Sequence, residues 1–307
     1  MSHSPIALFV YNRPQHTSRT IAALAKNSLA KESELFIFSD GPKNDADKKD
    51  VEKVRELFRS AVGFKKLTIV ERASNVGLAQ NIIEGISEIF RLYETVICLE
   101  DDLITSQGFL EYMNDALRFY QNKNIFSISG YLPPIDIPSG HEYSTFTAMR
   151  NSSWGWATWQ SKWQNVDWDV SDFNKLLSDR KKKKLFEQAG NDTTMMLLKQ
   201  QLGKINSWSI RFNYAAFKMG EPTIYPTKSL IKNIGVDGSG TNMRRSKKYQ
   251  TEIVEEISSS NFAPAEHNNQ LINKHFKEFF DTSFIRRVIN LIKIIYYKPR
   301  FKKAHKK

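Results

Sequence analysis

The sequence predicts an α/β protein built on a mostly parallel sheet, and three observations carry that prediction. Short runs of strand-forming residues recur at Ile6 to Tyr11, Glu34 to Phe38, Leu67 to Val70 and Thr95 to Leu99. Segments with helical spacing of apolar positions separate them, as βαβ units require. Polar clusters follow every strand: Asn12-Arg13, Asp40-Gly41, Arg72 to Gly77 and Glu100 to Asp102. In a parallel sheet these clusters share one edge, beyond the carboxyl ends of the strands, where such sheets bind ligands.

Each element has its own local reason. Ile6 to Tyr11 is a continuous apolar run, read as a buried strand and ended by Asn12-Arg13-Pro14. A helix is expected over Arg19 to Lys26. The second strand stops at Ser39-Asp40-Gly41-Pro42. Residues 45 to 60 are charged, with Val51, Val54, Leu57 and Phe58 at helical spacing, so a surface helix fits. After the third strand, Leu78 to Tyr93 reads as a helix with Ile82, Ile83, Ile86, Ile89 and Phe90 on its core side. The fourth strand, Thr95 to Leu99, ends in Glu100-Asp101-Asp102.

The second half is less regular. Gly108 to Asn122 reads as a helix, Ile125 to Ser129 as a short strand and Pro133 to Glu142 as a loop. Ser152 to Trp168 holds five of the six tryptophans. Arg180 to Gln188 and Thr193 to Leu202 are expected helices. Gly235 to Asn242 is a glycine-rich loop, and residues 243 to 270 look polar and flexible. There is no internal repeat.

Composition narrows the function classes. The 307 residues carry a net charge of +12, but Ile285 to Lys307 alone contributes nine Lys and Arg without an acid. The rest is nearly balanced, unlike a nucleic-acid binder with charge spread over one face. Cys98 is the single cysteine, so no internal disulfide forms, and within its apolar run it is expected to be buried and inert. No secretory signal and no uncharged stretch of about 18 residues is seen, so a cytosolic protein is expected.

Glu100-Asp101-Asp102 is the feature with most chemistry. Three acids cannot enter a core without counter-charge. At a strand end they can hold a hard divalent cation, Mn²⁺ or Mg²⁺, which prefers oxygen ligands and is commonly shared with substrate phosphates. A solvated acidic turn is the plain alternative.

Taken together, these residues resemble a glycosyltransferase of the GT-A fold. The resemblance rests on Tyr11-Asn12-Arg13-Pro14, Ser39-Asp40-Gly41-Pro42, Asn75-Val76-Gly77-Leu78 and Glu100-Asp101-Asp102 in the place of a DXD motif. The acidic triplet followed by Leu103 is similar to that of the N-acetylglucosaminyltransferase that starts complex N-glycans. The chain as a whole resembles bacterial transferases of surface-polysaccharide synthesis, through Trp154-Gly155-Trp156-Ala157-Thr158-Trp159, Asn206-Ser207-Trp208 and Lys232-Asn233-Ile234-Gly235. The resemblance implies a nucleotide-sugar half over 1–145, an acceptor half over 146–265 and a basic helical tail over 266–307. It implies that Asp102 binds the metal while Asp101 and Glu100 meet the ribose or a metal-bound water. Asn12, Arg13, Asp40, Arg72 and Asn75 would then frame the nucleotide. Asp40 would accept from uracil N3–H and favour a UDP-sugar, or else serve as a turn carboxylate in Asp-Gly-Pro.

Transfer also needs a base for the acceptor hydroxyl. Asp192, opening the helix after Asn191, matches the family's acidic motif, although Asp at that position also suits a helix N-cap. Asp167 and Asp169 are the reserves. Trp154 or Trp156 is expected as a pocket wall, with Gly155 between them allowing close approach to the donor sugar; the other tryptophans belong to the core. A histidine that related transferases carry in a late loop is replaced here by Asn242, which puts a C-terminal metal ligand in doubt. Arg244, Arg245, Lys247 and Lys248 would serve the diphosphate instead, or be solvated.

In the tail, Phe284, Val288, Leu291, Ile292 and Ile295 share one helical face, opposite Arg286, Arg287, Asn290 and Lys293. Such a helix suits the anionic cytoplasmic face of a membrane, near a glycan or lipid-linked acceptor, or else packs on the body. Two rivals stand beside the transferase. A nucleotidyltransferase making nucleotide-sugars would want a glycine-rich phosphate loop that Tyr11-Asn12-Arg13-Pro14 does not supply. A non-enzymatic nucleic-acid or membrane binder leaves the three strand-end acids unexplained.

Overall fold

The computed structural model describes residues 3–59, 62–238 and 245–304, with side chains described through Tyr297. The first half alternates as the sequence predicts: β1 (Ile6–Val10), α1 (Pro14–Leu24), β2 (Glu34–Ser39), α2 (Asp45–Arg59), β3 (Lys66–Glu71), α3 (Leu78–Ile89), β4 (Thr95–Glu100), β5 (Leu103–Thr105) and α4 (Phe109–Phe119). The first helix begins at Pro14, earlier than expected, because proline's fixed φ and missing N–H suit a helix's first turn. The second half adds β6 (Ser127–Ser129), β7 (Thr145–Ala148), β8 (Trp156–Trp159), α5 (Gln160–Trp163), α6 (Phe173–Ser178), α7 (Arg180–Phe186), α8 (Thr193–Gln201), α9 (Trp208–Met219), β9 (Thr223–Pro226), β10 (Ile231–Asn233), α10 (Gln270–Phe280) and α11 (Phe284–Ala304).

One eight-stranded sheet runs in the order β3-β2-β1-β4-β8-β6-β9-β7. The first four strands are parallel, and β8 pairs antiparallel with both β4 and β6. Both faces of β1 are buried, which is why it reads as a continuous apolar run. Ile6, Leu8 and Val10 join a core with Ile21, Leu24, Val54 and Phe58. Ala7 and Phe9 join the opposite core with Ile82, Ile86 and Phe212. Cys98 is buried as expected, and burial pushes its thiol upward.

Two expectations for the C-terminal part change. Residues 251–265 pack back on the body instead of forming a flexible segment. Ile253 bridges Ser229, Phe262 and Ala263 are buried, and the Tyr120 hydroxyl donates to the Ala263 carbonyl at 2.7 Å. The expected tail starting at 266 also holds a docked helix. α10 buries Ile272 and Phe276 against Phe146 and Tyr225, apolar area that stabilises its position. Only α11 leaves its apolar face open: Phe284, Ile285, Val288, Leu291, Ile292 and Ile295 are exposed, while Ile294 packs with α6 and α8 residues. No helix among the described residues is long and apolar enough to cross a membrane.

Candidate functional site

The parallel strands deliver Arg13 and the acidic triplet to the same sheet edge, since β1 and β4 are neighbours in register. Arg13 Nη2 donates to Asp101 and, at 2.9 Å, to Asp102 Oδ2, and its Nε lies 3.4 Å from Asp101 Oδ2. The backbone around the acids is fixed from two sides. Thr20 Oγ1 of α1 donates to the Asp101 carbonyl at 2.8 Å, and the Ile234 amide donates to the Asp102 carbonyl at 2.8 Å. The small ribbon of β5 with β10 brings Ile234 and Gly235 there. A Cβ on Gly235 would lie 2.0 Å from Asp102 Oδ2, so only glycine fits against that carboxylate. This role for Gly235 was not legible as chemistry in the sequence.

The cluster carries more negative charge than it balances. Asp101 and Asp102 are buried, Glu100 is partly so, and Arg13 is their one paired cation among the described residues. Burial, then Asp102 and Asp101, pushes Glu100 up to about 8. Burial also pushes Asp101 up to about 6, against the opposing pull of Arg13 and with Asp102 adding to the rise. Burial works against the Arg13 charge, but Asp101 and Asp102 more than offset it and hold the guanidinium well above its usual range. His16 on α1, unnoticed in the sequence, lies 3.2 Å from Asp237 and lowers Asp101. Asn242 and Arg244, considered above for the metal shell and the diphosphate, lie outside the described residues.

Other expected nucleotide-side residues turn inward. Asp40 is buried and accepts from the Gly41, Val76 and Gly77 amides at 2.9 Å each and from Asn75 Nδ2 at 3.1 Å. Four donors fill the acceptor sites of one carboxylate. Asp40 therefore holds the 75–77 loop, the turn role, and the expected acceptance from uracil is not left open. Asn75 is spent on Asp40 and the Gly41 carbonyl. Arg72 points to α3, donating to Asn81 Oδ1 at 3.2 Å and to Glu88 Oε1 at 3.0 Å; it braces a helix instead of facing a nucleotide. Asn12 Nδ2 and the Tyr11 hydroxyl both donate to Asp47 at the start of α2, a residue with no motif to mark it.

Asp192 precedes α8 but makes no side-chain cap. Its carboxylate is gripped by Arg150, at 2.8 Å from Nη1 and 3.0 Å from Nη2, and the Arg150 guanidinium sits 4.0 Å over the Phe280 ring. The N-cap alternative is thus replaced by a bidentate ion pair. Neighbouring Asn191 is clasped by the α10–α11 link: its amide donates to Asp281 at 2.9 Å, and Thr282 donates back to Asn191 Oδ1 through its amide and its hydroxyl. The reserve candidates stay apart. Asp167 accepts from the Asp169 and Ser171 amides and the Ser171 hydroxyl, which organises its own turn. Asp169 sits in that same turn.

The tryptophan segment divides. Trp156 is 1% exposed and stacks on Trp208 at 4.8 Å, so it is a packing residue and not a pocket wall. Trp154 stays partly open, edge-on to Tyr131. Gly155 has φ +60° and a Cβ there would meet Ile231 at 2.7 Å, so glycine serves internal packing, not approach of a donor sugar.

Among the described residues no group of three or more His, Cys, Asp or Glu side chains is arranged to hold a metal ion alone. The carboxylates of Asp101 and Asp102 outnumber their one partner Arg13, and such a donor set fits a cation whose other ligands come from water and phosphate, the way Mg²⁺ is commonly held.

No curated protein matches the sequence. Among solved structures, a cytidylyltransferase from Leptospira borgpetersenii serovar Hardjo-bovis (strain JB197) is similar at 10% identity and a TM-score of 0.35, covering 54% of this chain. The chain spans 64% of that protein's length. A protein assigned as a nucleotide-diphospho-sugar transferase from Desulfovibrio desulfuricans G20 is similar at 13% identity and a TM-score of 0.33, covering 56% of this chain and 72% of its own. The profile of glycosyl transferase family 2 matches residues 6–192, from the first strand to Asp192 and more than half of the chain. The chain therefore belongs to glycosyl transferase family 2.

Proposed function

We propose that this protein is an inverting, metal-dependent transferase that moves a sugar from a nucleoside diphosphate sugar to a hydroxyl of a glycan or lipid-linked acceptor, in building a surface polysaccharide. The observation that carries this reading is the strand-end cluster, three acids against Arg13. In transfer, the bond between the anomeric carbon and the diphosphate oxygen breaks and the acceptor oxygen takes its place. The acceptor proton goes to Asp192. The Arg150 pair uses two of that carboxylate's acceptor positions and leaves others for the hydroxyl. Asp102 would hold a Mn²⁺ or Mg²⁺, which when bound would supply positive charge for the departing diphosphate. Arg13 keeps Asp101 and Asp102 in place and its own charge beside them. The uridine preference expected from Asp40 loses its residue, so the base is left to a donor screen.

The exposed apolar face of α11 with the basic end of the chain supports peripheral attachment to the anionic cytoplasmic face of a membrane. Lipid-linked acceptors are found at such a surface. Purified protein incubated with a panel of nucleotide-sugars and Mn²⁺ should release nucleoside diphosphate from one of them. Release that persists at full rate in Asp102→Ala, or in excess chelator, rejects the metal-dependent reading. Release of pyrophosphate from a nucleoside triphosphate instead would make the protein a nucleotidyltransferase.

A further inference from the structure

We infer that Trp154, Tyr249 and Phe279 form the wall of an acceptor-sugar site beside Asp192, and that Lys248 at its rim selects an acceptor sugar bearing an anionic group. This deepens the proposed function and rests on Asp192 being the base. The wall is a continuous run of rings. Tyr131 meets Trp154 at 4.6 Å, Trp154 meets Tyr249 at 5.6 Å, and Tyr249 meets Phe279 at 5.5 Å. Phe279 meets Phe280 at 4.9 Å, and Phe280 lies under the Arg150 guanidinium that grips Asp192. Four segments far apart in sequence supply these rings, so the cluster belongs to the tertiary fold.

Its burial is uneven. Tyr131 is buried and fixes the next segment by donating its hydroxyl to the Tyr249 carbonyl at 3.0 Å. Trp154, Tyr249 and Phe279 are only partly buried. Partly open Trp and Tyr are common; what sets these apart is that the run of rings ends beside the Arg150–Asp192 pair, where it offers an apolar surface to the C–H face of a pyranose. The segment carrying Tyr249 also links the two sites. Ser246 donates its amide to the Val236 carbonyl at 3.2 Å, next to the Gly235 that covers Asp102. Residues 245–249 thus run from the strand-end acids to the Asp192 side.

Charge decides the class of acceptor. Arg150 already matches Asp192. Lys248 lies 4.6 Å over the Phe279 ring, feels the opposing charges of Asp192 and Arg150, and makes no carboxylate salt bridge among the described residues. The rim is left with one positive charge, which suits a phosphate or a carboxylate on the acceptor sugar.

The test is ligand-detected NMR on the full chain, with Mn²⁺ and the nucleoside diphosphate identified by the donor screen present to fill the donor site. The probes are methyl glucoside (neutral), methyl glucuronide (carboxylate) and glucose 1-phosphate (phosphate). The anionic probes should bind about two- to fivefold tighter than the neutral one, the range of an exposed ion pair; whichever binds tighter identifies the anion. Lys248→Gln, an exposed substitution, should erase that difference and keep the neutral probe's affinity. Phe279→Leu should weaken all three probes by roughly three- to tenfold. No binding of the anionic probes, an unchanged preference in Lys248→Gln, or unchanged affinities in Phe279→Leu would overturn the inference. Absence of nucleotide-sugar turnover in the unmodified protein, or normal transfer by Asp192→Asn, would count instead against the underlying function.

Discussion

Two carboxylate sites on this chain are each held by one arginine, and they are charged in opposite senses. At the end of β4, Arg13 faces Asp101 and Asp102 with Glu100 behind them, and burial, helped by the two neighbouring acids, pushes Glu100 up to about 8. Before α8, Arg150 matches Asp192 alone, and Lys248 leaves the neighbourhood positive. The first site has more carboxylates than cations; at the second, Arg150 and Lys248 outnumber Asp192. A reaction that moves a sugar from an anionic leaving group to an acceptor deprotonated by a base would use both. The contrast also separates the sources of each site. The first is made by neighbouring strands of one sheet, and the second by distant segments held together by α10.

The comparison can be broken at its strongest point first. Asp192→Asn keeps the shape but cannot take a proton, so transfer should fall on the order of 10²–10⁴-fold while donor affinity stays the same. Steady-state rates and donor calorimetry measure the two parts, and normal transfer here together with a loss in Asp167→Asn or Asp169→Asn would move the base to that residue. At the other site, Arg13→Gln leaves buried acids without their cation. It should destabilise the metal-free protein by about 3–5 kcal/mol, as when one partner of a buried pair is removed. Thermal unfolding with and without Mn²⁺ checks it, and Mn²⁺ should recover part of the loss. An Arg13→Gln protein as stable as its parent would mean that the acids are not short of positive charge.

A smaller effect follows from pH. Glu100 rises in the folded state from an ordinary 4.5 to about 8. An acid shifted upward contributes stability when protonated, fully below about 4.5, and loses it as pH rises through about 8. Melting temperature of the metal-free protein should therefore fall across that window, on the order of a few degrees. A flat or rising profile would contradict the buried-charge description. The smallest effect belongs to α11. Truncation before Phe284 spares the Asp281–Thr282 clasp on Asn191 and should release the protein from anionic vesicles. Each basic residue near such a surface is worth about 1 kcal/mol, weakened by salt. Equal vesicle binding by the full and truncated chains rejects the anchor, and an insoluble truncated chain points to a helix that packs on the body.

The first site was legible because strand periodicity and polar strand ends are local patterns. β1 through β4 could be read from short windows, and their parallel order then brought Arg13 to Asp101 and Asp102. The second was half legible. Asp192 stood out as an acid opening a helix, but Arg150 and Phe280 carry no motif and reach it only through tertiary packing. Asp40 misled because an Asp-Gly-Pro turn and a nucleotide acceptor look alike until the donors at 75–77 are seen. Trp156 misled in the same way, since pairing of β8 with β4 sets it opposite Cys98 in the core. The polar composition of 243–270 hid the few apolar residues, Phe262 and Ala263, that pin that stretch down.

The central claim is that the strand-end acids bind a nucleoside diphosphate sugar through a divalent cation. Calorimetric titration of the donor, with and without Mn²⁺, on the unmodified chain and on Asp102→Ala tests it most directly. Binding that appears with Mn²⁺, disappears in chelator and is lost in a folded Asp102→Ala is the predicted result; equal donor affinity in all of these conditions would contradict it.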